Sequence, residues 1–360
     1  MRLVIIAALT LLSLGATHGS PALQTRPTCA FNLPLNATEC QRLHAATGGA
    51  GASWSSSGTS STLLYTSEPF DAAVDIWTVS AKGLKSSGRL ELGAGAVPLG
   101  LTVDAAQNLY VAIASLGSGT PSVAVFPRGA TKASKTYTQG LTAPVDVAVD
   151  AHGVLYVANL ANAGGGGCGQ GSGPGGNVIE YTKGSTSPAR TIDDFIGCPE
   201  AIAVDSSANL YLTNLYYPSS GFVQSDVTEY AYKSTHGKAL GLQVPGGPEL
   251  GGIQIGSNGD VVVQNVQDDA TLNQILTFPH GATKPSSTIQ YPGTGWGTGF
   301  KFFSLAGNRF YAPAYIVENF LDVATRPAQF AYPSGRELLV QKTISSTEPF
   351  AYGMAVSPGK

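Results

Sequence analysis

IAVDSSANLYLTN, at 202–214, reads as an aliphatic strand, a tight polar turn and a second strand closed by Asn214. Close copies stand at 100–112 (GLTVDAAQNLYVA) and 147–159 (VAVDAHGVLYVAN). Apolar residues alternate inside each strand, as in Ile202 and Val204 or Leu109 and Val111. A period of two belongs to strands, not helices. The residue that closes the first strand recurs at Asp104, Asp150, Asp205, Gly256, Ala306 and Ser357, roughly every fifty residues, which is the period of a propeller blade. Tyr110, Tyr156, Tyr211, Val262 and Tyr311 follow at a nearly constant offset. A constant offset means a constant turn, with Gly153 and Gly259 supplying positive φ.

A third strand follows in each unit, at 75–80, 122–126, 177–181, 226–230, 274–278 and 328–332. Weaker fourth strands follow at 135–138, 189–192 and 287–290. The chain therefore predicts an all-β fold, a six-bladed β-propeller with four antiparallel strands per blade. In chain order the ring starts with a second-position strand at 63–66 and ends with a first-position strand at 353–357. These two should pair and close the ring, which removes exposed sheet edges.

Composition agrees. Charged residues make up only 12% of the chain, with 45 glycines and a formal charge of −3. Surface helices would need more Lys, Glu and Arg. No basic stripe runs along the sequence, so no nucleic acid is expected as a partner. Residues 1–22 read as a signal peptide: Arg2, an apolar run over 3–14, then small residues with cleavage after Gly19 or Ala22. An exported protein, secreted or periplasmic, is expected, with no transmembrane segment in the mature chain. Residues 23–62 form an N-terminal extension and a Gly/Ser linker that includes Trp54, and 63–360 the propeller. Four cysteines lie beyond the signal, and an even count in an oxidising compartment favours disulfides. The local pairing, Cys29–Cys40 and Cys168–Cys198, is expected among the three possible.

The pattern P-x-x-[IL]-A-V-D-x-x-G-N-L-Y-V-A-N, then V-x-x-Y-x-x-G, resembles NHL repeats. Residues 144–159 and 199–214 carry it best, and it extends over about 63–360 with the later units degenerate. The resemblance implies a propeller like those of the NHL and SMP-30/gluconolactonase-like groups. Those groups include binding scaffolds and metal-dependent lactonases and lyases, so the resemblance specifies fold rather than chemistry.

Loops that precede the first strand and follow the second crowd one mouth of the ring. One aligned frame places Leu99, Val145, Glu200, Gly251, Lys301 and Tyr352 there; another places Glu68, Ile113, Asn159, Asn214, Asn265 and Ala314. The ligand-binding set read from these frames is Glu68, Asn159, Glu200, Asn214, Asn265, Lys301 and Tyr352. The long insertions 160–176 and 215–225 project from the same face, and polar convergence with long loops is the form of a functional mouth. Asp146 is nearby but out of frame. The scaffold reading stands beside this one: each Asn can cap a loop, Glu200 and Lys301 can form an ion pair, and the strand-closing aspartates belong to turns on the opposite face.

No HExxH, GxSxG or Walker motif occurs, and the mature histidines are scattered. The expectation is an exported, non-catalytic propeller that binds a protein partner or small-molecule ligand through its long-loop face. The alternative is a hydrolase or lyase with a divalent cation as cofactor, held by Glu200, Asn159, Asn214 and Glu68 and acting as a Lewis acid.

Overall fold

In a computed structural model, the described residues are 53–54, 61–69, 71–115, 119–160, 175–194, 196–216, 224–245, 250–265, 273–291, 302–319, 322–335, 337–340 and 353–358. They form six antiparallel sheets and no helix. The first blade begins with β1 (Ser53–Trp54), β2 (Thr62–Glu68), β3 (Ala73–Ser80) and β4 (Gly83–Glu91). The second holds β5 (Ala96–Val103), β6 (Leu109–Ser115), β7 (Ser122–Phe126) and β8 (Lys135–Tyr137). The third holds β9 (Pro144–Val149), β10 (Leu155–Leu160), β11 (Gly176–Tyr181) and β12 (Arg190–Ile192). The fourth holds β13 (Cys198–Val204), β14 (Leu210–Tyr216), β15 (Gln224–Tyr230) and β16 (Gly237–Ala239). The fifth holds β17 (Leu250–Ile255), β18 (Val261–Asn265), β19 (Asn273–Phe278) and β20 (Ser287–Tyr291). The sixth holds β21 (Ser304–Ala306), β22 (Arg309–Asn319), β23 (Asp322–Ala331) and β24 (Glu337–Val340). The last strand, β25 (Met354–Ser357), returns to the first blade.

The six-bladed propeller implied by the NHL-like pattern is thus the architecture observed. Closure follows the expected register: Leu63 faces Ser357, Leu64 Val356, Tyr65 Ala355 and Thr66 Met354. The second blade grips the closed end. Gln107 Nε2 donates to the Pro358 carbonyl at 2.9 Å, and Arg128 donates to Ser357 Oγ at 2.6 Å and to the Ser61 carbonyl. One element departs from the four-strand pattern. Inside the stretch read as a linker, Ser53 and Trp54 pair with Arg89 and Gly88 as a fifth, outermost strand.

Each blade is buried on both faces because it is stacked between two others. Every residue of β10 is buried. Leu155 and Val157 pack with Val123, Val125 and Tyr137 of the second blade, while Tyr156 and Ala158 join Ile202 and Leu212 of the fourth. The alternation in the repeat therefore sorts side chains between two cores, not between core and water.

The strand-closing aspartates hold the opposite face together. Asp205 accepts the N–H groups of Ser207 and Asn209, each at 2.8 Å, and the Tyr211 hydroxyl at 3.4 Å. Asp150 does the same with His152, Val154 and Tyr156, and Asp104 with Asn108 and Tyr110. This links the Asp and Tyr of the repeat as one device per blade. Burial, and after it the neighbouring carboxylates, hold these phenols above their ordinary range, so they remain donors. Positive φ falls at Gly153 and Gly259 as expected, and at Gln107 and Ala208 in the same frame of the second and fourth blades.

Candidate functional site

Innermost strands start, and second strands end, on one face of the ring. That is the long-loop face. At the head of the innermost strand the pairing slips: between Pro98 and Leu101, around Val145, between Pro199 and Ala201, and between Leu250 and Ile253. The frame that carries Leu99, Val145, Glu200 and Gly251 is therefore a row of β-bulges, which re-aim side chains. Leu99 and Val145 are 6% and 2% exposed and lie in the core. Glu200, in the same frame, is 4% exposed, a carboxylate where other blades carry a core residue.

The second frame is also buried. Asn159 Oδ1 accepts the N–H of Thr142 at 2.8 Å and of Ala143 at 3.1 Å, and its amide donates to Asn177 at 2.9 Å. Asn265 donates to the Pro245 carbonyl at 3.2 Å and to Gln274 at 3.3 Å. Asn214 donates to Thr228 at 3.3 Å. Asn159 and Asn265 each tie the loop leading into the innermost strand to the neighbouring hairpin, so this part of the rim works as scaffold. Glu68 accepts the Thr66 hydroxyl at 3.2 Å, which in turn accepts the Trp77 indole at 3.1 Å. Glu68 belongs to the first blade and Glu200 to the fourth, half a turn apart around the ring. Among the described residues, no three His, Cys, Asp or Glu side chains gather as a metal site. Lys301, Tyr352, Cys29, Cys40 and Cys168 lie outside the described residues. Cys198 is buried and forms no disulfide with a described residue.

The axis holds groups that the rim frames did not include. A cavity of about 150 Å³ is walled by one aligned residue from every blade: Leu101, Val147, Ile202, Ile253, Phe303 and Met354. Asp146 also lines it, 5% exposed. Its Oδ2 accepts the Ile202 N–H at 2.9 Å, joining the third blade to the fourth. Burial pushes its pKa up to about 8, opposed by main-chain N–H groups of Ile202 and Val147. The aligned frame holds Gly100, Ala201, Gly252 and Gly353 in four other blades and Phe302 in the sixth. That contrast is the sequence signal that singles out Asp146.

Hydroxyls make the matching joints in two other blades. Ser67 accepts the Gly353 N–H and donates to the Leu99 carbonyl, both at 2.7 Å. Thr213 accepts the Ala201 N–H at 3.0 Å and donates to the Gly251 carbonyl at 2.8 Å. Ser67 and Thr213 occupy the same repeat frame, where the third blade has Ala158. Three of the six blade-to-blade joints, first to second, third to fourth and fourth to fifth, are thus closed by one polar side chain near the channel.

No family model matches the sequence, and no curated protein matches it. Solved structures do match in fold. A protein of unknown function from Bacteroides caccae aligns at 11% identity with TM-score 0.54, over 82% of this chain and 99% of that one. Hydrazine synthase from Kuenenia stuttgartiensis aligns at 13% identity with TM-score 0.46, over 74% of this chain and 75% of that one. A putative gluconolactonase aligns at 16% identity with TM-score 0.45, over 74% of this chain and 89% of that one. At these identities the likeness is one of fold alone.

Proposed function

We propose that this protein is an exported propeller that binds a protein partner or small-molecule ligand through its long-loop face, without catalysis at that rim. The observation that supports this reading is where the chain spends its length. Connections 161–175, 240–249, 292–303 and 341–353 all leave and rejoin strands at that face. Turns between first and second strands, on the opposite face, are short and folded back on themselves, as Asp150 to Val154 and Gly256 to Asp260 are. Long connections on a rigid scaffold are the usual carriers of recognition. Asn159 and Asn265, which a mouth would offer to a reacting group, are used to hold loop roots. The loops, not the rim, then make the contact.

The test is loop replacement in the full chain. Residues 161–174 and, separately, 292–300 are replaced by short Gly/Ser linkers. Retention of soluble envelope components on the immobilised protein is compared with that of the parent. Loss of retention with an unchanged melting temperature supports the reading, and unchanged retention in both variants contradicts it. The metal-dependent alternative is addressed by elemental analysis and thermal shift with Ca²⁺, Mn²⁺ or Zn²⁺. Stoichiometric metal, with stabilisation of about 2.7 kcal/mol at a hundred times Kd, would replace the binding reading.

A further inference from the structure

The face opposite the long loops is basic at its periphery. Five successive turns between third and fourth strands each carry an exposed lysine: Lys82, Lys132, Lys183, Lys233 and Lys284. These turns, at 81–82, 127–134, 182–189, 231–236 and 279–286, contain no Asp or Glu. His236 and His280 are exposed in the same turns. None of the five lysines forms an ion pair among the described residues.

The acids of this face are engaged by neighbours: Glu180 pairs with Arg190, Glu229 accepts from the Tyr211 hydroxyl, and four aspartates are folded into their own turns. Asp104, Asp150 and Asp205 accept main-chain N–H groups, and Asp260 accepts from Asn258 and His280. Other acids, such as Asp71, Glu91, Asp194 and Asp226, stand at the long-loop end of their strands or loops. A chain of formal charge −3 therefore carries a peripheral ring of unpaired lysines on this face, while the carboxylates of the same face are held by hydrogen bonds or ion pairs.

The five turns stand on one face in five successive blades, so the lysines are arrayed around its rim. Tyr232, the exposed large hydrophobic side chain of the described residues at 39%, stands on that ring. It stacks on His152 with ring centroids 5.6 Å apart, and Lys233 Nζ lies 5.0 Å from its centroid. Lysines beside an aromatic ring at one level match the charge and polarity profile of a lipid headgroup layer. A linear polyanion could reach only neighbouring members of such a ring, whereas a plane meets all of them.

We propose that the turn face docks on an anionic phospholipid bilayer, leaving the long-loop face directed away from it. The proposal is independent of what the loops bind.

The test is co-sedimentation of the full chain with vesicles of phosphatidylcholine alone or with about 30% phosphatidylglycerol, at low salt and at roughly 0.5 M salt. Binding is expected only to the anionic vesicles, and is lost at high salt. A variant with Lys132→Gln, Lys183→Gln, Lys233→Gln and Lys284→Gln should lose roughly several hundredfold in partitioning, since one surface lysine contributes about fivefold. All four side chains are exposed, so its melting temperature should match the parent's. Tyr232→Ser should weaken binding by a smaller factor. Absence of binding to anionic vesicles at low salt would overturn the proposal, as would full binding by the quadruple variant or equal binding to neutral vesicles. Retention on dextran sulfate or DNA without vesicle binding would overturn it in favour of a soluble polyanion.

Discussion

Asp146 Oδ2 accepts the Ile202 main-chain N–H at 2.9 Å, so one carboxylate closes the joint between the third and fourth blades. The carboxyl group is buried and its pKa is pushed up to about 8. In the unfolded chain it titrates near 3.8. Between those values the folded state holds the proton more tightly, so the contribution of Asp146 to stability is fully present below about 3.8 and is lost as pH rises through about 8.

Asp146→Asn should remove that slope. One unit of pKa shift corresponds to about 1.4 kcal/mol, so the cost of ionising Asp146 is at most on the order of 6 kcal/mol. The variant keeps an acceptor for Ile202 and should melt several degrees above the parent near pH 9, with little difference near pH 5. A variant that melts below the parent at pH 9 would contradict the burial account.

The inner ring has no room for a methyl group at two glycines. A Cβ on Gly353 would lie 2.1 Å from the Leu99 carbonyl oxygen, and one on Gly100 2.7 Å from Asp146 Cα. Both obstacles include backbone, so neither side can give way cheaply. Gly353→Ala and Gly100→Ala should each cost about 3 kcal/mol or more, read as a lowered denaturation midpoint. Gly129→Ala serves as a contrast: its φ is +84 but nothing lies within 4 Å, so it should show only the backbone cost of about 1 kcal/mol.

The closure is held from the second blade. Arg128→Ala removes the donors to Ser357 and Ser61, and a loss of about 2 kcal/mol is expected. Truncation after residue 352 removes β25 and leaves β2 as an open edge beside the channel. That chain should aggregate or fail to fold, unlike a truncation of an ordinary tail. A soluble, cooperatively melting truncation product would show that β25 is dispensable.

Much of this fold was legible in the sequence because blades repeat one local device. The Asp–turn–Tyr unit fixes both strands and their turn, and period two fixes the pairing. The closing register of 63–66 with 353–357 followed from counting strands. The candidate site was less legible. Frame alignment placed Glu200 at the head of its innermost strand, where it lies, but a bulge at that step turns Leu99 and Val145 into the core, and a repeat alignment cannot register a bulge. Asp146 was passed over because it sits one step out of frame, although it replaces Gly or Ala in four other blades. The pairing of Ser53 and Trp54 with β4 has no periodic signal at all. The lysine ring escaped notice for a different reason: its members are about fifty residues apart in sequence and meet only when the ring closes.

The central claim is that the polar frame at the mouth is scaffold and that recognition belongs to the loops. Asn159→Ala tests it most directly, because Asn159 is buried and accepts from both Thr142 and Ala143. The two measurements are its melting temperature and, well below melting, its retention of envelope components. The account predicts a loss on the order of 3 kcal/mol in stability with retention unchanged. An unchanged melting temperature with retention abolished would contradict it and put Asn159 in the binding site.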